Sequence, residues 1–86
     1  MIKIGYKPSF VRQFKRLESD LQEEIITKIE LFKDRANHKI LKVHKLKGAL
    51  KDFHSFSVNY KFRIVFEFET KNEAVLLSVG DHDIYK

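Results

Sequence analysis

The alternation Tyr60-Lys61-Phe62-Arg63-Ile64-Val65-Phe66-Glu67-Phe68 constrains this chain more than any other stretch. Side chains along a β-strand point to opposite faces in turn. Tyr60, Phe62, Ile64, Phe66 and Phe68 therefore share one side, and Lys61, Arg63, Val65 and Glu67 the other. A side so uniformly apolar belongs on a core. The other side carries a guanidinium on a rigid support, whose planar fork suits two phosphate oxygens, and an RNA phosphate is the expected ligand. Pairing with Glu67, two positions on along the same side, is the alternative use of Arg63.

The flanking sequence supplies the layers such a strand needs. Ile2, Ile4 and Tyr6 alternate as a short first strand. Pro8 and Ser9 read as a helix start, followed at helical spacing by Phe10, Val11, Phe14 and Leu17. Ser19 is the expected N-cap of a second helix, with Asp20 in its first turn and Gln22 in capping-box register. Leu21, Ile25, Ile29 and Phe32 form that helix's apolar stripe. These signals predict helices over 9–18 and 20–35, joined as an αα-hairpin. Residues 39–51 read as a basic connector, anchored by Ile40, Leu41, Val43 and Leu46 and punctuated by Gly48. Phe53 to Val58 reads as a strand with His54, Phe56 and Val58 on one face and Phe53, Ser55 and Ser57 on the other. Asn59 marks a hairpin turn and Thr70-Lys71-Asn72 a second one. Ala74 to Val79 is nearly all apolar like a buried strand, and Gly80 ends it before a polar tail. The predicted class is α+β with element order β-α-α-β-β-β. A small, mainly antiparallel sheet packs on the αα-hairpin through one face, in a single domain spanning 1–86.

Composition removes several functions. Without cysteine there is no disulfide framework, zinc–thiolate site or thiol nucleophile. No histidine pair has a spacing that suits zinc, so neither metal nor cofactor is expected. No apolar run nears the roughly 18–20 residues that span a bilayer, and Met1-Ile2-Lys3-Ile4-Gly5 lacks the apolar core of a signal peptide. The expected setting is cytoplasmic, with no membrane partner. Lysine and arginine outnumber aspartate and glutamate by 17 to 12, for a formal charge of +5. Lys33, Arg35, Lys39, Lys42, Lys45, Lys47 and Lys51 crowd one segment in which Asp34 is the only acid. This segment is either a solvated basic face or a surface for a polyanionic or acidic partner.

Three stretches, taken in order, carry a resemblance: His44-Lys45-Leu46-Lys47-Gly48, then Phe56 through Phe66, then Val79-Gly80-Asp81-His82-Asp83-Ile84-Tyr85. They resemble the connector, central strand and closing segment of the RelE/ParE superfamily of bacterial toxin–antitoxin toxins. The resemblance covers nearly the whole chain. It implies a compact toxin that a cognate acidic antitoxin wraps and neutralises, the complex reaching operator DNA through the antitoxin. RelE-like and YafQ-like members enter the ribosome and cleave mRNA, without a cofactor, by general acid/base chemistry. ParE-like members instead inhibit DNA gyrase and lack the nuclease residues. A relative reduced to an interaction or repressor module is a third possibility.

Metal-free RNA cleavage needs a base for the 2′-hydroxyl, cations for the phosphorane and an acid for the leaving 5′-oxygen. Arg63 matches the family's strand arginine and is the candidate cation. His82 matches the closing histidine and is a proton-transfer candidate, because an imidazole titrates near neutrality; pairing with Asp81 or Asp83 is its alternative. Tyr85 either stacks on a base, donates a proton or packs on the body. His44 matches a connector histidine that lies in the active site of YafQ-like members, while His54 is either a second proton carrier or a core histidine. YafQ-like members carry an aspartate where this chain has Asn59, and the connector lysines match RelE-like usage instead. Lys42, Lys45, Lys47, Lys51, Lys61 and Lys86 are candidate RNA contacts, which add affinity and salt dependence but little sequence choice.

Overall fold

The computed structural model describes residues 1–81. Its elements are β1 (Lys3–Tyr6), α1 (Pro8–Lys15), α2 (Ser19–Phe32), β2 (His44–Lys45), β3 (His54–Ser57), β4 (Arg63–Thr70) and β5 (Glu73–Gly80). Short 3-10 turns cover Arg35–Asn37 and Gly48–Leu50. The class is α+β. The sheet has the order β1-β5-β4-β3-β2, which makes β4 its middle strand. β1 pairs parallel with β5, and the other three pairings are antiparallel. The fifth strand, β2, lies within the basic connector. Two residues with one lysine gave no periodicity from which to infer it.

Both helices lie on one face. Phe10 of α1 and Ile25, Ile29 and Phe32 of α2 join Phe56, Ile64, Phe66 and Leu76 in one buried cluster. Phe32 is its hub. Its ring stacks on Phe56 at 4.5 Å and on His38 at 4.7 Å, meets Phe66 edge-on at 4.7 Å, and lies 6.4 Å from Phe68. Such pairs add about 0.5–1.5 kcal/mol each beyond the burial of their area. His38, which no sequence motif singled out, also caps the helix: its Nε2–H donates to the Phe32 carbonyl across 2.7 Å, satisfying an acceptor that the helix end leaves open.

α1 completes the edge of β5. The β1 ladder ends at the Tyr6–Leu76 pair. Beyond it, Ser9 Oγ donates to the Leu77 carbonyl at 2.6 Å, and Gln13 Oε1 accepts from the Val79 amide at 2.8 Å. These two side chains sit four apart on one helix face, so they continue a strand edge that would otherwise be left unpaired. Gln22 is not used in a capping box. Its Nε2 donates to the Phe14 carbonyl at 2.8 Å and ties the two helices together. The N-cap of α2 is Glu18, with no side-chain cap.

Two expectations fail locally. Tyr60 does not face the core but is 89% exposed, because Asn59 Oδ1 accepts from the Lys61 and Phe62 amides and holds 59–62 as a turn. The strand alternation begins only at Arg63. Ile40 is likewise 78% exposed, whereas Leu41 beside it is buried and receives the Ser57 amide at 2.8 Å.

His54 packs on the core face, 5.5 Å from the Phe66 ring and 5.1 Å from that of Phe68. Its Nδ1 is buried and, among the described residues, meets no hydrogen-bond partner. Burial, then the positive charges of Lys45 and His44, hold its pKa below the ordinary 6.5. The fold thus favours the neutral ring. The stability this gives is complete above the unfolded value and is lost as pH falls through the lowered one.

Two measurements check these assignments. Phe32→Ala should lower urea-derived stability by about 3–5 kcal/mol, and a loss below about 1 kcal/mol would show that the ring is not the hub. Lowering the pH from about 7.5 to about 5.5 across the ordinary histidine range should reduce the melting temperature of the unaltered chain more than that of His54→Phe. Equal drops would show that His54 does not contribute the acid sensitivity.

Candidate active site

The register places two of the candidate residues on the sheet face that the helices leave alone. His44 pairs with Ser55, Ser55 with Val65, and Val65 with Ser78. Ser57 pairs with Arg63, and Arg63 with Gly80. Directly opposed residues share a face, so His44 and Arg63 stand on one surface among serines and a glycine. Small side chains there leave room around the two long ones. The surface is not bare, since Val65 and Ser55 at its centre are 5% and 0% exposed. Two strand spacings across and two residues along put the His44 and Arg63 Cα atoms on the order of 12 Å apart.

Local chain geometry orients His44. Residues 37–43 coil tightly, with backbone bonds from Leu41 to Asn37, Lys42 to Lys39 and Val43 to His38. The coil ends with Lys42 in the left-handed region at φ 58°, a conformation that costs a non-glycine residue about 1–3 kcal/mol. Lys42 then presents its carbonyl to His44 Nδ1 at 2.8 Å. A carbonyl can only accept, so Nδ1 carries the proton and the neutral ring keeps its lone pair on Nε2. His44 is exposed. The arrangement is that of an imidazole fixed in one tautomer and able to take a proton from a bound hydroxyl.

Arg63 is half-buried, and its guanidinium turns to the 59–62 turn. Its Nη1 donates to the Asn59 carbonyl at 2.8 Å and to that of Phe62 at 3.4 Å. Among the described residues it forms no ion pair with Glu67. Of its five N–H donors, the three on Nε and Nη2 are not those that brace the turn. Arg63 also lines a cleft of about 280 Å³ together with Lys42, Lys28, Ile40 and Tyr60.

The other candidates spread out. His54 lies on the opposite, core-facing side, and Lys45 is its cross-strand partner. Lys47 and Lys51 are exposed in the loop after β2, which the Leu46–Phe53 and Phe53–Leu50 backbone bonds close and where Gly48 takes φ 70°. Lys61 sets its ammonium 5.7 Å from the centre of the Phe62 ring. His82, Tyr85 and Lys86 lie outside the described residues. The described residues contain no cluster of three His, Asp or Glu side chains that could hold a metal, and no helix long and apolar enough to cross a membrane. Sequence reasoning missed Lys28 and Tyr60 at the cleft. Lys28 belongs to a helix whose pattern reports only its buried stripe, and Tyr60 continues the aromatic alternation in the sequence.

No protein-family model matches the sequence, and neither does any curated protein sequence. Solved structures do match. A conserved hypothetical protein of Helicobacter pylori is 25% identical, with TM-score 0.72 over 96% of this chain and 97% of its own. A chain of the YoeB–YefM complex from Staphylococcus aureus is 20% identical, with TM-score 0.73 over 95% and 98%. YafQ from Escherichia coli is 13% identical, with TM-score 0.71 over 99% and 98%. The YoeB–YefM pair is a toxin–antitoxin complex. End-to-end agreement with these structures shows that this chain has the fold of the RelE/ParE superfamily.

Proposed function

We propose that this chain is the toxin of a toxin–antitoxin pair and an endoribonuclease that cuts mRNA on the translating ribosome. The observation that carries this reading is the His44 ring, held by Lys42 as the Nδ1–H tautomer on the same sheet face as Arg63. A protein that only binds its target does not need a solvent-facing imidazole with a defined lone pair on the sheet face that also carries an arginine.

In this reading His44 Nε2 takes the proton of the 2′-hydroxyl. The 2′-oxygen forms its bond to phosphorus while the bond from phosphorus to the 5′-oxygen breaks. Arg63 and the connector Lys42 stabilise the charge on the phosphorane, and His82 protonates the leaving 5′-oxygen. Tyr85 stacks on a base or assists the proton transfer. Lys47, Lys51, Lys61 and Lys86 hold flanking phosphates. The products are a 2′,3′-cyclic phosphate and a 5′-hydroxyl. Asn59 stands where a carboxylate would serve YafQ-like chemistry, and it is engaged in its own turn. With so few groups, alignment of the substrate has to come from the ribosome. The basic connector also suits an acidic antitoxin, and a chain of similar fold lies in the YoeB–YefM toxin–antitoxin complex.

Induction of the chain in bacteria, followed by primer extension on a translated message, tests this reading. The unaltered chain should arrest growth and cut within codons. His44→Gln should lower cutting by about 100- to 10,000-fold and Arg63→Gln by about 100- to 1,000-fold, with both variants melting as cooperatively as the parent. Full cutting by both variants would remove these residues from the reaction. Intact messages with a DNA-damage response would point to gyrase inhibition instead, and intact messages without growth arrest to a binding or repressor module.

A further inference from the structure

The cleft beside Arg63 has a chemistry that the cleavage steps do not use. Three of its walls are cationic. Arg63 comes from the start of β4, Lys42 from the left-handed end of the connector coil, and Lys28 from the middle of α2. Among the described residues no carboxylate lines it. Glu24, one helical turn before Lys28, turns its carboxylate to the Asn59 side-chain amide at 2.8 Å. Two of the most exposed large apolar side chains of the described residues, Tyr60 at 89% and Ile40 at 78%, also line this cleft.

Tyr60 is not exposed by a failure of packing. The Asn59 turn lifts it off the strand, with two backbone amides spent on the Asn59 side chain and Arg63 Nη1 bracing the Asn59 and Phe62 carbonyls. The turn that displays the ring is therefore stiff and is supported by the same arginine that faces the cleft. An aromatic ring beside several cations, in a hollow of about 280 Å³, is the combination used to hold single-stranded nucleic acid: the ring takes a base and the cations take the phosphates beside it. A buried stacking pair would have been hidden in the core, and a purely solvated basic face would not present a ring and an isoleucine.

We propose that this cleft is a nucleotide subsite, in which Tyr60 stacks on a base of single-stranded RNA and Lys28, Lys42 and Arg63 hold its flanking phosphates. The choice of RNA rests on the ribonuclease reading; the stacking and phosphate contacts rest on the cleft itself. Arg63 then joins two places, bracing the Tyr60 turn through Nη1 while its backbone stands on the sheet face that carries His44. A strand seated on Tyr60 would run from the cleft toward His44 past Lys42, whose carbonyl holds the His44 ring. The subsite would thus set which phosphate reaches the imidazole.

The test is binding of the full chain to a fluorescent hexauridine RNA with methylated 2′-oxygens, which cannot be cut by the proposed route. Affinity is read by anisotropy over a salt series, and location by amide NMR shifts. Tyr60→Ala should weaken binding by about 5- to 150-fold, the loss of one stacked base, while Tyr60→Phe should bind as the parent does. Lys28→Gln should reduce the slope of log affinity against log salt by about 0.7. The shifts should centre on residues 40–42 and 57–63. Equal affinity of Tyr60→Ala and the parent would overturn the subsite. So would inorganic phosphate shifting the same amides as strongly as the hexamer does, with no effect of Tyr60. Loss of antitoxin capture by Tyr60→Ala with RNA affinity unchanged would also overturn it, because the cleft would then serve a protein. Cleavage of messages is a separate readout: a chain that binds the hexamer through Tyr60 yet leaves messages intact keeps the subsite and loses the ribonuclease reading.

Discussion

The docking of Phe32 onto the aromatic side of the middle strands is the contact on which the molecule depends. One ring at the end of α2 touches Phe56 of β3, Phe66 and Phe68 of β4, and His38 of the turn that follows the helix. It therefore settles three things together: which sheet face is covered, how α2 crosses the strands, and where the basic connector starts. His38 both stacks on the ring and caps its carbonyl, so the connector leaves the helix in a defined direction. That direction carries the coil of 37–43 to the edge of β3, where the Leu41 carbonyl meets the Ser57 amide. Covering one face with aromatic rings is also what leaves the other to His44, Arg63 and small residues.

The polar side of the sheet is consequently built by remote packing more than by its own contacts. His44 belongs to a two-residue strand that would not persist alone. It is held because Leu41 is buried, because β3 is fixed from beneath by Phe56, and because Lys42 accepts a strained backbone conformation whose carbonyl captures the imidazole. Strain of this kind persists only where surrounding structure over-determines it, and it tends to occur where a group has to be aimed. Arg63 is aimed in the same manner by the Asn59 turn.

The legible part of the sequence was the part with a period. The β4 alternation identified the middle strand and its arginine-bearing side, and the α2 stripe at Leu21, Ile25, Ile29 and Phe32 identified the helix that packs on it. His54 alternating with Phe56 and Val58 already pointed to a core-facing imidazole. Periodicity carries no information where the backbone leaves regular geometry. The Asn59 side chain ended the alternation before Tyr60, and the left-handed Lys42 could not be anticipated from a run of lysines and aliphatic residues. The parallel pairing of β1 with β5 joins residues far apart in the chain and has no local signature. His44 and Arg63 were both named from the sequence, but that they share a sheet face required the register of β2 on β3.

In the proposed reaction an oriented imidazole and a guanidinium on this face divide an RNA phosphodiester through its own 2′-oxygen. Chemical analysis of the ends left on a message cut by the purified chain on programmed ribosomes tests it most directly. A 2′,3′-cyclic phosphate or its 3′-phosphate hydrolysis product upstream, with a 5′-hydroxyl downstream, is the expected result. A 3′-hydroxyl with a 5′-phosphate would mean that water attacks in place of the 2′-oxygen, and would contradict the role given to His44.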